Sequence, residues 1–172
     1  MAETTGRRKF INSLAAASIA GTSGCYGSFG RDRYEYREVR YFSTSAPIVN
    51  GREVNAGSFS TSHYGSLVPT PENVAWEILE EEQERIAVNY RNLSFENSFM
   101  TVAGVLLDGP HDLHVADTRF DGGRMIQTVE IDPLPGTGDR RVMNAVEVYH
   151  DRGNEPPNEL VVEWRTPPVS GP

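Results

Sequence analysis

The strongest hydrophobic pattern lies in the second half of the chain. Phe99 to Leu107 (FMTVAGVLL) is an unbroken apolar run of strand length, which predicts an inner strand buried on both faces. Asp108-Gly109-Pro110 ends it. Leu113 and Val115 then lead to Phe120, and Asp121-Gly122-Gly123 predicts a turn. In the next segment Met125, Val129 and Ile131 alternate inward, with Ile126, Thr128 and Glu130 outward. Residues 133–138 (PLPGTG) hold too much proline and glycine for regular structure. Val142 to Tyr149 alternates again, with Val146 and Val148 inward. After a loop at 151–158, Leu160, Val162 and Trp164 share one face of a last strand.

Upstream the pattern is weaker. Tyr34, Tyr36, Val39 and Tyr41 sit among charges and suit an exposed or edge strand. Asn50-Gly51 between Ile48-Val49 and Val54 predicts a two-residue hairpin with positive φ at its centre. Residues 57–67 read as a weak strand or a loop, with Phe59, Tyr64 and Leu67 spaced through them. Thr70-Pro71-Glu72 predicts the start of one helix over about 71–86: threonine can cap, proline suits the first position, and glutamate favours the positive end of the dipole. Ala75, Ile78, Leu79 and Ile86 form its apolar face, and Glu77, Glu80, Glu81 and Glu84 its solvated face. One helix and five or six closely spaced strands predict a mainly β fold, an antiparallel β-sandwich with one covering α-helix.

The first 25 residues fit neither pattern. Arg7, Arg8 and Lys9 precede Phe10 and Ile11, and a mild apolar run, Leu14 to Ala20, follows. Small residues then lead to Cys25, the single cysteine. A basic head, a short apolar middle and small residues at a cut site are the marks of an export signal. The run is much shorter than the roughly 20 residues that span a bilayer. Arg7-Arg8-Lys9-Phe10-Ile11 resembles a twin-arginine translocation signal. Thr22-Ser23-Gly24-Cys25 resembles a lipobox, with Thr22 where leucine is usual. The resemblance implies export by the twin-arginine translocase, removal of residues 1–24, and a lipid on Cys25 that moors the chain to the outer face of the cell membrane. Residues 25–33 then read as a glycine-rich tether, 34–166 as the globular domain, and 167–172 as a disordered tail.

Composition sharpens this picture. The chain has 172 residues with 16 basic and 24 acidic side chains. Loss of Arg7, Arg8, Lys9 and Glu3 with the signal leaves 13 basic and 23 acidic, net −10, and every remaining base is arginine. Such a surface suits high salt, where screening removes self-repulsion. Together with the signal it resembles the exported lipoproteins of salt-loving archaea. Over residues 75–165 the order of helix, strands and glycine turns is similar to small β-sandwich domains of such lipoproteins, and more loosely to the C-terminal domain of PrcB-type proteins. Nucleic acid is excluded as a partner by the missing basic patch.

Candidate chemistry is sparse. His111, Asp112 and His114, with Asp117 nearby, are weak candidates for a metal, because in a strand only Asp112 and His114 share a face; His63 or His150 would have to contribute from elsewhere. No Gly-x-Ser-x-Gly elbow is present, and the paired glycines lack the helix and lysine of a phosphate loop. Asn92-Leu93-Ser94 is a glycosylation sequon in an exported chain. Tyr34, Tyr36, Tyr41, Phe42, Phe59 and Tyr64 crowd the first third, either as an adaptable binding face or as the packed side of edge strands. No cofactor is expected and no catalytic residue is identified. The expectation is an exported, lipid-anchored, non-catalytic β-domain that binds or supports another extracytoplasmic component; the alternative is a metal- or small-ligand-binding module on the cell surface.

Overall fold

Residues 98–150 contribute four long strands, three of them buried along most of their length and the fourth, His111–Asp121, on one face only, and the fold is built outward from them. The structure is a computed structural model that describes residues 33–55 and 62–165. In chain order these form β1 (Glu35–Thr44), β2 (His63–Val68), a 3-10 turn (Pro71–Asn73), α1 (Trp76–Glu82), α2 (Glu84–Arg91), β3 (Ser98–Asp108), β4 (His111–Asp121), β5 (Arg124–Pro133), β6 (Arg140–His150) and β7 (Glu159–Arg165). One sheet has the order β1-β6-β3-β2 and the other β4-β5-β7. The protein is therefore a mainly β sandwich, with the helices packed on the outer face of the four-stranded sheet. All strand pairs are antiparallel except β5 and β7, which run parallel, so the sandwich is mixed where an antiparallel one was expected.

The inner strand predicted at 99–107 is β3, between β2 and β6. Its Met100 and Val102 join Val142, Val146 and Val148 of β6 beneath Leu79, Ala87 and Tyr90 of the helices. Ala103, Val105 and Ala145 face Leu113, Val129 and Ile131 of the second sheet. Strand β6 is thus covered on both faces rather than one, because it too is an inner strand. In β5, Met125, Val129 and Ile131 point inward as expected. Thr128 faces outward yet is 1% exposed. Arg119 of β4 and Glu163 of β7 pair at 2.5 Å across the strand between them, and Thr128 donates to Glu163 at 3.4 Å.

Two local expectations change. The single helix is two, bent at Gln83, whose φ is −141°. Thr70 makes no capping bond and donates instead to Asn73 Oδ1 at 2.9 Å, so regular α-helix begins only at Trp76. At the bend, Gln83 Nε2 donates to Ser43 O of β1 at 3.0 Å, while the Gln83 carbonyl accepts from Ile86 and Ala87 and starts α2. Glu82, just before the bend, accepts from Ser45 N at 3.0 Å and pairs with Arg141, tying α1 to the end of β1 and to β6. Its carboxyl is held below the ordinary range: burial pushes upward, and the Ser45 bonds and Arg141 outweigh it.

Asn50-Gly51 does turn the chain, with Gly51 at φ 74°. It does not make a hairpin. Asn50 Nδ2 reaches the carbonyls of Glu72 and Val74 at 2.8 and 3.1 Å, and Val49 bridges to Val74, so the turn is clamped to the entry of α1 rather than to a neighbouring strand. The weak segment ends in a strand, β2, whose Tyr64 hydroxyl donates to buried Asn144 Oδ1 at 3.0 Å. No helix among the described residues is long and apolar enough to cross a membrane.

Candidate functional site

The two long edges of the sandwich differ. At one, β2 lies against β7: a side chain added at Gly65 would meet Val162 Cγ2 at 2.5 Å, so glycine lets these strands close together. At the other, β1 and β4 stand apart around a cleft of about 580 Å³, a size suited to small molecules. The strands are joined there by one bond, Val115 N donating to Tyr41 Oη at 3.0 Å. Tyr34, Tyr36, Val39 and Tyr41 line one wall, Val115, Asp117, Thr118 and Phe120 the other, and Glu147 and Tyr149 of β6 the floor.

The sequence aims these residues through two bulges. In β1 the pairing with β6 skips Arg37. In β4 the pairing with β5 skips Ala116. An extra residue reverses which face later side chains take. Tyr34 and Tyr36 before the bulge, and Val39 and Tyr41 after it, therefore all line the cleft. In β4 the inward set changes in the same way from Leu113 and Val115 to Thr118 and Phe120. Both edge strands are bulged where they flank the opening.

Glu147 is the unusual group. It is 5% exposed on the inward face of an inner strand. Three donors meet its Oε2: Tyr149 Oη at 2.6 Å, Thr118 Oγ1 at 3.3 Å, and Gln127 Nε2, which also donates to Thr101 at 2.8 Å. Among the described residues no hydrogen bond is made to Oε1, and the residue borders the cleft. Burial pushes the Glu147 carboxyl above the ordinary range, against the lowering effect of the three donors. Burial, and then the neighbouring Glu147, push the Tyr149 phenol upward; Tyr34, Tyr36 and Tyr41 are also raised, by burial first. These phenols are neutral at ordinary pH and serve as rings and hydroxyls rather than as bases.

The rings support one another. Phe99 stacks on Tyr149 at 5.4 Å, Tyr36 meets Tyr149 edge-on at 5.9 Å, and Tyr34 packs between Phe99 and Phe120 at 5.2 and 5.1 Å. Tyr36 and Tyr41 remain 50% and 40% exposed, among the few large apolar side chains left open to solvent. Arg152 and Glu35, 3.6 Å apart, stand at the rim.

The aromatic group named from the sequence divides accordingly. Tyr34, Tyr36 and Tyr41 line the cleft, Phe42 and Tyr64 belong to the core under the helices, and Phe59 lies outside the described residues. Of the metal candidates, Asp112 and His114 are exposed on the outer face of β4, where His114 meets Glu130 at 2.9 Å and Asp132 at 3.6 Å. His111 Nδ1 lies 3.2 Å from Gly109 O. His63 contacts Trp164, and His150 ends β6 beside Ser98, so the four histidines are not brought together. No group of three or more metal-binding side chains is assembled among the described residues. Asn92 is exposed at the end of α2. Arg7, Arg8, Phe10 and Cys25, the tether before Arg33 and the tail at 167–172 lie outside the described residues.

Glu147 was not singled out from the sequence. Its signal was a carboxylate between Val146 and Val148 in an otherwise apolar strand. No family model matches this chain, and no curated protein or solved structure is significantly similar to it.

Proposed function

We propose that the chain is an exported, lipid-anchored, non-catalytic β-domain at the outer face of the cell membrane, where it binds or supports another extracytoplasmic component. The observation that carries this is the order of residues 7–25: the arginine pair with Phe10, a short apolar run, and the single cysteine directly after small residues. Lipidation of Cys25 also accounts for an unpaired thiol in an exported protein. The net negative, lysine-poor surface supports a salty exterior.

The test is the intact mass of protein extracted from membranes of the native host. A chain beginning at Cys25 and carrying a lipid is expected, and Cys25→Ser should release the protein or block its processing. A full-length, unmodified chain would overturn the reading.

The cleft favours a second reading, a small-ligand-binding module carried by the same anchor. It offers an open cleft with aromatic walls, charged groups at its rim and the buried carboxylate of Glu147 at its base, a composition that suits a binding site. A metal ion has less support, since Asp112 and His114 stand on an open sheet face with His114 already paired to carboxylates.

A further inference from the structure

The open edge of the sandwich carries more than the presence of a binding cleft. Its lining has a definite electrostatic character. Of its three carboxylates, Glu35 is paired with Arg37 and Arg152 at 3.3 and 3.6 Å and Asp117 lies 3.9 Å from Arg119, so among the described residues Glu147 alone has no basic partner. The remaining walls are rings and aliphatic groups, and the faces of aromatic rings are themselves negative. An anion would meet repulsion here from both sources. A neutral apolar molecule would leave Glu147 Oε1 buried without a partner, which is costly.

The occupant could in principle be an extended peptide added to a free strand edge. Both edges facing the cleft are interrupted, β1 at Arg37 and β4 at Ala116. Each bulge breaks the regular row of backbone donors and acceptors that strand addition needs. The geometry favours a compact molecule.

We infer that the cleft binds a small organic ammonium ion with an apolar body, which donates an N–H to Glu147 Oε1 while the exposed rings of Tyr36 and Tyr41 flank its charge. The inference rests on the small-ligand reading above. The placement of the donors fits this role. All three donors already gather on Oε2, so the carboxylate is held rigidly with one oxygen left to an incoming donor. A cation arriving beside Glu147 also favours its ionised form, so binding tightens as pH rises through the carboxyl's titration.

The test titrates the full chain with three probes of one shape: phenethylammonium, neutral 2-phenylethanol and anionic phenylacetate, followed by calorimetry and by chemical-shift changes. Phenethylammonium is expected to bind about tenfold or more tighter than the alcohol, with phenylacetate weakest. Glu147→Gln keeps the shape of the side chain and an acceptor for the three donors; it should weaken the ammonium by about tenfold and leave the alcohol unchanged. Tyr36→Leu, at an exposed position where folding is not at risk, should weaken the ammonium several-fold. Equal or tighter binding of the alcohol or of phenylacetate, with sensitivity to Tyr36→Leu, overturns the ammonium inference and leaves the cleft as a ligand site. Binding of none of the three overturns both. Ammonium binding that ignores both substitutions overturns the assignment to this cleft.

Discussion

The β2–β7 edge and the β1–β4 edge belong to the same sandwich and are built on opposite plans. At the first, Gly65 removes a side chain so that Val162 and Leu160 can approach the opposing sheet. At the second, large rings are added: Tyr36 and Tyr41 stand about half in solvent over a buried carboxylate. Their local contacts differ correspondingly. The closed edge is packed side chain to backbone, whereas β1 is held on its other face, through Ser43 and Ser45 to Gln83 and Glu82 of the helix layer. Closure on one side and support from the helices on the other let the open side forgo packing. One edge is closed by packing, and the other keeps an open cleft.

The sharpest way to break that contrast is to enlarge the closed edge. Gly65→Val places a Cβ within 2.5 Å of Val162, and should cost about 3 kcal/mol by overpacking, read as a lowered midpoint in denaturant. An unchanged midpoint would mean that this edge is as loose as the other.

A smaller effect tests the floor of the cleft. Glu147 titrates in its ordinary range when unfolded, while burial raises its value in the fold. Its contribution is therefore fully present below the ordinary carboxylate range and is lost as pH rises through the raised folded value. Glu147→Gln cannot titrate, so it should melt close to wild type at low pH and above it at neutral pH. Thermal melts across that window check this; a gap that does not widen with pH counts against a strained buried carboxylate.

The smallest effect is expected at the mouth. Replacing Tyr36 by alanine should change stability by about 1 kcal/mol or less, because its ring is half exposed and its hydroxyl makes no hydrogen bond to the described residues, whereas Tyr41 also holds Val115 N. A loss comparable to that of Gly65→Val would make the Tyr36 ring part of the core rather than of the open mouth.

How much of this was legible depends on how local each cause is. The Phe99–Leu107 run reads directly as an inner strand because burial on both faces leaves no polar period. The inward residues of β5 and β7 were legible for a different local reason, the period-two alternation of a strand. The bend at Gln83 was not, since it is made by a side-chain bond to β1 that no helical periodicity contains. Asn50-Gly51 announced its turn correctly, but its partner was chosen by contacts to residues 72 and 74, far along the chain.

The cleft lies between these cases. Its aromatics were visible; the two bulges were not, because recognising them requires knowing which residues share a face. Tyr36 to Val39 is an odd step, as is Val115 to Phe120, and an odd step in a period-two pattern requires an extra residue if both ends face the same way. What no spacing could supply is the meeting of those two strands over Glu147, because they belong to different sheets.

Tyr34 has a further consequence. It lines the cleft and follows Cys25 by nine positions. Nine residues of chain reach at most about 30 Å even when fully stretched. With the cysteine moored in lipid as proposed, the mouth of the cleft would be confined to a thin shell above the bilayer, a leash too short to sweep the bulk medium. What the protein meets would then be whatever concentrates at, or is released from, the membrane surface itself.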